Sequence, residues 1–334
     1  MLMLIILSDT HFSDKQKDEY RFDIFKWLVK ACIEYKPWAL FILGDITEQK
    51  DKHSSKLVNR IIEGLTEVLE NVPKIYILMG NHDRIDVNTP FFKFINSIED
   101  LHFIIEPTLI KGESKCLMIP HCIKEWPDLS KFKNVDYIFI HQTVEGAIAE
   151  SGARLTGLPQ GQLVALQPRK IISGDIHRPQ VCGAVVYAGS PYNIRFGDNF
   201  KPRILLLDDH FNQLINLHFK CPRKYVLKIR DIAEIRNNTK LKKGDHVKIE
   251  IELSREELVE WPNYKRDAIE ACKERGLETF GVKLFSKKQT KKRFRIKEHK
   301  SKDLPKTNIE IFKRFCNHEN LSSIVRQVGK ELLE

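Results

Sequence analysis

Over roughly its first 220 residues the chain alternates short apolar runs with amphipathic stretches. LMLIIL is followed by Tyr20, Ile24, Trp27, Leu28 and Ala31 at helical spacing, and then by WALFIL after Pro37. Leu57, Ile61, Leu65 and Val68 form a second helical face, and KIYILM follows Pro73. Period 3.6 marks helices facing a core and short apolar runs mark buried strands, so this opening predicts βαβαβ and an α/β layered fold. YIFI (137–140), KIIS (170–173), VVYA (185–188), ILLL (204–207) and LINLHF (214–219) follow with fewer helical signals, which predicts a strand-rich second half. From residue 221 the pattern changes. VKIEIEL alternates as a half-exposed strand, SREELVEW through KERG is helical, and GVKLFS is another strand, together a small α+β domain. After Pro305, two short helices are expected, broken at Asn317-His318-Glu319. These readings divide the chain into residues 1–220, 221–303 and 304–334.

A chain of 334 residues with 42% apolar content can bury a substantial core. No apolar run approaches the length of a membrane span, and the opening run meets Ser8-Asp9 too soon for a signal peptide, so a cytoplasmic protein is expected. Seven cysteines, odd in number and without a CxxC pair, indicate reduced thiols, not a disulfide framework or a zinc knuckle. The net charge of +10 points to a polyanionic partner because it is localised. Lys220 to Asp303 carries about 25 Lys and Arg against about 14 Asp and Glu, essentially the whole surplus. Within it, Lys287, Lys288, Lys291, Lys292, Arg293 and Arg295, with Phe294 and Ile296 interleaved, are candidate DNA-phosphate contacts.

At five places an apolar strand runs out and a metal-ligand residue type follows at once: Asp9-Thr10-His11, Gly44-Asp45, Gly80-Asn81-His82-Asp83, His141, and Gly174-Asp175-Ile176-His177. Ligands of α/β sheets bind where loops leave the carboxyl ends of strands, so the five sites can meet. In an extended segment Asp9 and His11, and likewise Asp175 and His177, would each point to one side. Glycines let the backbone pass close to an ion. Carboxylate, imidazole and amide oxygen suit Mn²⁺, Fe²⁺ or Zn²⁺ better than an all-oxygen Mg²⁺ or Ca²⁺ site. Seven candidates exceed one tetrahedral site, and a bridging carboxylate would hold two ions about 3.5 to 4 Å apart, the arrangement used for phosphoester hydrolysis. Singly, a DxH could be a capping Asp and GNHD a tight turn.

The order DxH, GD, GNHD, H, GDxH resembles the calcineurin-like metallophosphoesterases, which implies a layered α/β sandwich here with a small α+β cap and a C-terminal helical tail. Within them the chain is similar to the SbcD nucleases, bacterial and phage counterparts of the Mre-eleven nuclease, also through Val186 to Pro191 and Phe196-Gly197-Asp198. The Ser/Thr phosphatase signature is absent, since the matching segments read GDITEQK and MGNHD. The resemblance implies that Asp9, His11, Asp45 and His177 bind one metal ion, and Asp45, Asn81, His141 and Asp175 the other. It also implies that His82 contacts the scissile phosphate. Two departures are visible. Asp175 stands where many relatives carry His, and Glu48 stands three residues after Asp45, leaving Glu48, Asp51 and His53 as alternatives for assisting His82. His102, His121, His210, His218, His246, His299 and His318 lack a strand-end context and are expected to be ordinary.

The expected function is therefore a manganese-dependent DNA exonuclease and endonuclease of a recombination and repair complex, using two divalent ions. The alternatives are a phosphodiesterase for cyclic nucleotides or other small diesters, and a non-catalytic scaffold. By resemblance the protein would form a homodimer through helices near Asn88 to Ile98. The tail, with Ile309, Phe312, Phe315 and Cys316 on one face and Leu321, Ile324, Val325, Val328 and Leu332 on another, would bind a coiled-coil ATPase of the SbcC kind.

Overall fold

The structure, a computed structural model, describes residues 3–285 except Val87, Glu113, Arg255 and Glu256. The basic run Lys287 to Lys302 and both tail helices lie outside the described residues.

Two six-stranded sheets face each other. The first contains β1 (Met3–Leu7), β2 (Ala39–Ile42), β3 (Ile75–Leu78) and β4 (Leu101–Ile104), mutually parallel, with β11 (Ile204–Asp208) and β12 (Gln213–Leu217) added antiparallel beside β1. The second runs in the order β5 (Thr108–Lys111), β6 (Lys115–Ile119), β7 (Tyr137–His141), β8 (Lys170–Gly174), β10 (Val185–Tyr187), β9 (Gln180–Cys182). Its central strands β6, β7, β8 and β10 are parallel. Period-2 alternation sends Leu4, Ile6, Phe41 and Leu78 inward, where they meet Met118, Phe139 and Ile172 of the second sheet. The alternate residues Ile5, Leu7, Leu40, Ile42 and Ile77 face outward onto two helices.

Those helices are α1 (Asp23–Tyr35) and α2 (Ser55–Leu69). The expected face Leu57, Ile61, Leu65 and Val68 is buried, worth roughly 2 kcal/mol per side chain. Ser54 caps α2 by accepting the Leu57 N–H at 3.0 Å, and Lys36 ends α1 in the left-handed conformation just before Pro37. Tyr20 lies not in α1 but in a preceding 3-10 turn, Gln16–Phe22. A four-residue helix α3 (Gly161–Val164) precedes β8.

Beyond residue 220, a parallel three-stranded sheet of β13 (Lys224–Ile229), β14 (His246–Ile251) and β15 (Glu278–Leu284) packs with α4 (Ala233–Arg236) and α5 (Trp261–Glu274). Its own apolar cluster joins Leu227, Ile229, Val247, Ile249 and Ile251 to Ala268, Ala271 and Cys272. The segment 91–97 is a 3-10 helix with Phe92 and Ile95 buried. Among the described residues the six cysteines are free, and no helix is long and apolar enough to cross a membrane.

Candidate metal centre

The candidate residues gather at one end of both sheets. Asp9, His11, Asp45, Asn81 and His82 follow β1, β2 and β3 of the first sheet, whereas His141 ends β7 and Asp175 and His177 follow β8 of the second. The centre therefore spans the two layers. Asp9 and His11 are not in extended backbone as the i, i+2 reading required. Asp9 (φ 53°), His11 (φ 43°), Asp45 (φ 54°) and Asp175 (φ 80°) all adopt left-handed conformations rare for side-chain-bearing residues. The loop is held in this shape by His11 N–H donating to Asp45 O at 2.9 Å, by Arg21 donating to the His11 carbonyl, and by the Tyr192 hydroxyl donating to the Thr10 carbonyl. Asp175 and His177 likewise do not serve one side: Asp175 Oδ1 lies 3.8 Å from His141 Nε2, and His177 Nε2 lies 3.0 Å from His11 Nε2.

Two groups of donor atoms are close enough to share an ion each: Asp9, His11 and His177, and Asp9, Asp45 and His141. Asp45 faces both, with Oδ2 3.6 Å from His11 Nε2 and Oδ1 3.3 Å from His141 Nε2. The Asn81 amide lies 3.0 Å from His141 Nε2 and 3.1 Å from both Asp45 oxygens. With its nitrogen inward it donates to Asp45; with its oxygen inward it is a neutral ligand for a cation among the same atoms.

These donors fit divalent cations. Two buried ring nitrogens 3.0 Å apart must share a proton or a cation. His141 Nδ1 contacts the Leu43 carbonyl at 2.5 Å, which turns Nε2 inward. Around His11 and His177, Glu48 lies 3.3 Å and Glu150 3.7 Å from the outward Nδ1 atoms, neither of which makes a hydrogen bond. Close packing completes the centre. A Cβ on Gly80 would sit 2.3 Å from Asp45 Oδ1, and one on Gly174 2.9 Å from His141 Nδ1. So the glycines bring strand ends together around Asp45 and His141.

A family comparison matches residues 2–206 to the calcineurin-like phosphoesterases. The chain belongs to this family. No curated protein sequence matches it. Among solved structures, it is similar to a dimetal phosphatase from Danio rerio at 10% identity and a TM-score of 0.36, covering 61% of this chain and 95% of that one.

Electrostatics within this phosphoesterase follow from crowding carboxylates and imidazoles out of water. Burial raises Asp9 to about 7, with Asp45 adding to the rise and His141 opposing it. Burial alone would lower His141, but Asp45, Asp9 and Asp175 together lift it well above the ordinary histidine value. His177 falls to about 3 through burial and the neighbouring His11. Glu48 falls to about 2, chiefly through its contact with His11.

His82 stands beside these groups. Its backbone N–H donates to Asp45 Oδ1 at 2.8 Å, and its Nδ1 lies 2.9 Å from the Glu48 carbonyl. Of the three residues left open for assisting it, Glu48 contacts it, and through the backbone, while the Glu48 carboxylate turns to His11. His53 instead packs edge-on against Phe91, 4.4 Å between centroids. The six basic candidates from Lys287 to Arg295 lie outside the described residues.

Two residues without an assigned role belong to this neighbourhood. Asp83, fully buried, accepts Asp45 N–H at 2.8 Å, Gly80 N–H at 2.7 Å and Ile46 N–H at 2.9 Å, locking the GD and GNHD loops together. His121, expected to be ordinary, has its ring centroid 6.3 Å from that of His141. It does follow a strand end, that of β6, contrary to the expected lack of such a context, because the apolar pattern did not single out β6; it is in neither group of donor atoms.

Proposed function

We propose that this phosphoesterase is a nuclease of the SbcD kind, cleaving DNA phosphodiesters with two divalent ions, most suitably Mn²⁺, and working with a coiled-coil ATPase. The single observation that carries the reading is the pairing of a two-centred donor cluster with a histidine beside it, His82, whose Nδ1 is already engaged. Asp9, His11, Asp45 and His177 would hold one ion, and Asp45, Asn81, His141 and Asp175 the other. Mn²⁺ suits this mixture of carboxylate, imidazole and amide oxygen. When bound, the ions supply Lewis-acid activation of water and neutralise phosphate charge.

The protein's own contribution is orientation and proton transfer. Because the Nδ1–H of His82 is given to the Glu48 carbonyl, its Nε2 is the atom left to meet substrate. In the imidazolium form Nε2 donates to a non-bridging oxygen or protonates the leaving oxygen. The hydrogen bond from His82 N–H to Asp45 ties this acid to the carboxylate that would be shared by both ions, so the GNHD loop carrying the donor is held in register with the GD loop.

Substrate class is supported by charge distribution. Residues 286–302 contain about nine Lys and Arg against one Glu, a density suited to a nucleic-acid backbone and superfluous for a small diester. The test is digestion of end-labelled duplex and hairpin DNA with Mn²⁺, with bis-p-nitrophenyl phosphate and cyclic nucleotides alongside. Mn²⁺-dependent cutting of DNA supports the proposal. Turnover of the small diesters without any cutting of DNA would refute it and favour the small-diester reading.

A further inference from the structure

Arg84 follows the GNHD loop directly, is only 6% exposed, and forms no ion pair with a carboxylate among the described residues. A buried guanidinium cannot shed its charge and normally stays buried only beside an anion. Here its contacts are Nη2 to His121 Nδ1 and Nη2 to the His121 carbonyl, both at 3.0 Å. Neither atom carries negative charge. Its Nε and Nη1 make no hydrogen bond among the described residues. The side chain is thus seated at a fixed position by Nη2, with Nε and Nη1 to spare and no carboxylate paired to it among the described residues.

Its position joins it to the centre. His121, which seats the guanidinium, has its backbone N–H bonded to the Met79 carbonyl at 3.0 Å, beside the GNHD loop, and its ring next to that of His141.

We propose that Arg84, seated by His121, binds the phosphate next to the scissile one on a nucleic-acid strand. The inference rests on the nuclease reading above and deepens it by assigning a subsite. The guanidinium fork matches two non-bridging oxygens of a phosphodiester, and their charge supplies the missing counter-ion. On this reading a substrate with a single phosphodiester leaves the subsite empty, whereas one with several fills it.

The experiment compares kcat/KM on a thymidine tetranucleotide, a thymidine dinucleotide and bis-p-nitrophenyl phosphate, for wild type, Arg84→Gln and Arg84→Lys. In the wild type the tetranucleotide is preferred over the dinucleotide. In Arg84→Gln that preference falls roughly ten- to hundredfold, mostly through KM, the size of one charge-assisted contact. Arg84→Lys keeps the charge without the fork and recovers part of it. An unchanged preference in both variants overturns the proposal, as does an equal loss on all three substrates, which would make Arg84 a prop for His121 and His141. Dissociation of a wild-type dimer by Arg84→Gln, with the preference intact, would assign the counter-ion to a second copy and also overturn it. If wild type cleaves only bis-p-nitrophenyl phosphate, the nuclease reading fails and takes this subsite with it; a flat tetranucleotide preference in an enzyme that does cut DNA sinks the subsite alone.

Discussion

Asp18→Asn should be among the most damaging isosteric changes in this protein. Asp18 is buried and accepts Arg21 Nη2 at 2.9 Å, Lys224 Nζ at 2.7 Å and Ser13 Oγ at 2.9 Å. Arg21 is 1% and Lys224 2% exposed, so loss of one carboxylate strands two cations out of water. Removing one partner of a buried pair costs about 3 to 5 kcal/mol. Part of that cost can be escaped. Burial, then Arg21, already lower Lys224 to about 8 against the attraction of Asp18, and without Asp18 it falls further and sheds its proton near neutrality. Arg21 has no such exit. The expected loss is therefore about 3 kcal/mol at pH 7.5, read from urea unfolding in EDTA so that metal binding does not contribute.

The pH dependence carries a second signature. In the wild type, between pH 8 and the unfolded lysine value of 10.5, the unfolded chain holds the Lys224 proton more tightly than the folded one. Stability linked to this group therefore rises with pH across that window, by at most about 1.4 kcal/mol per unit. In Asp18→Asn the rise should begin below pH 8. Asp18 itself is held below the usual range, burial opposing and Arg21 and Lys224 prevailing. Its contribution is present above 3.8 and is lost as pH falls through the depressed value, a loss the variant should lack. Asp18→Asn/Lys224→Met, with one stranded cation removed, should be more stable than Asp18→Asn alone. A loss under 1 kcal/mol with the alkaline window unmoved would refute the reasoning.

Asp45→Ala should lower Mn²⁺ stoichiometry from two toward zero in calorimetric titration, since its two oxygens face opposite halves of the centre; two ions retained at wild-type affinity would refute its bridging role. His82→Ala should keep both ions, because the bond to Asp45 comes from its backbone, while kcat falls about 10² to 10⁴-fold; loss of an ion would make His82 a ligand instead. Gly64→Ala should destabilise by about 1 to 3 kcal/mol, because the new Cβ would lie 2.2 Å from the Phe25 ring between α1 and α2. An unchanged melting curve would show that the two helices slide apart without cost.

Much was legible in the chain alone because strand ends in an α/β layer carry ligand-bearing loops. Apolar runs β1, β2, β3, β7 and β8 could be read directly, and the residue types following them marked a candidate metal centre. The face of α2 was equally plain, since period 3.6 is a local property. Strands β4, β5, β6 and β13 were not singled out. They are short or mix polar residues into the run, and their pairing is supplied by neighbours distant in sequence. With β6 went the context of His121, and with it the seat of Arg84.

Tertiary structure alone decided that the ligand loops come from two facing sheets. An apolar run records that it is buried, not in which layer. The left-handed backbone at Asp9, His11, Asp45 and Asp175 was equally hidden, because it is held by bonds between segments distant in sequence: Arg21, Tyr192 and the Asp45 loop on the Thr10–His11 backbone, Asp83 on the Asp45 N–H and Asp9 on the Asp175 N–H. Asp83 shows the division most clearly. Its identity is written in GNHD, but its work is to accept three N–H groups, two of them from a loop 37 and 38 positions away, and those acceptor contacts exist only once β2 and β3 are paired.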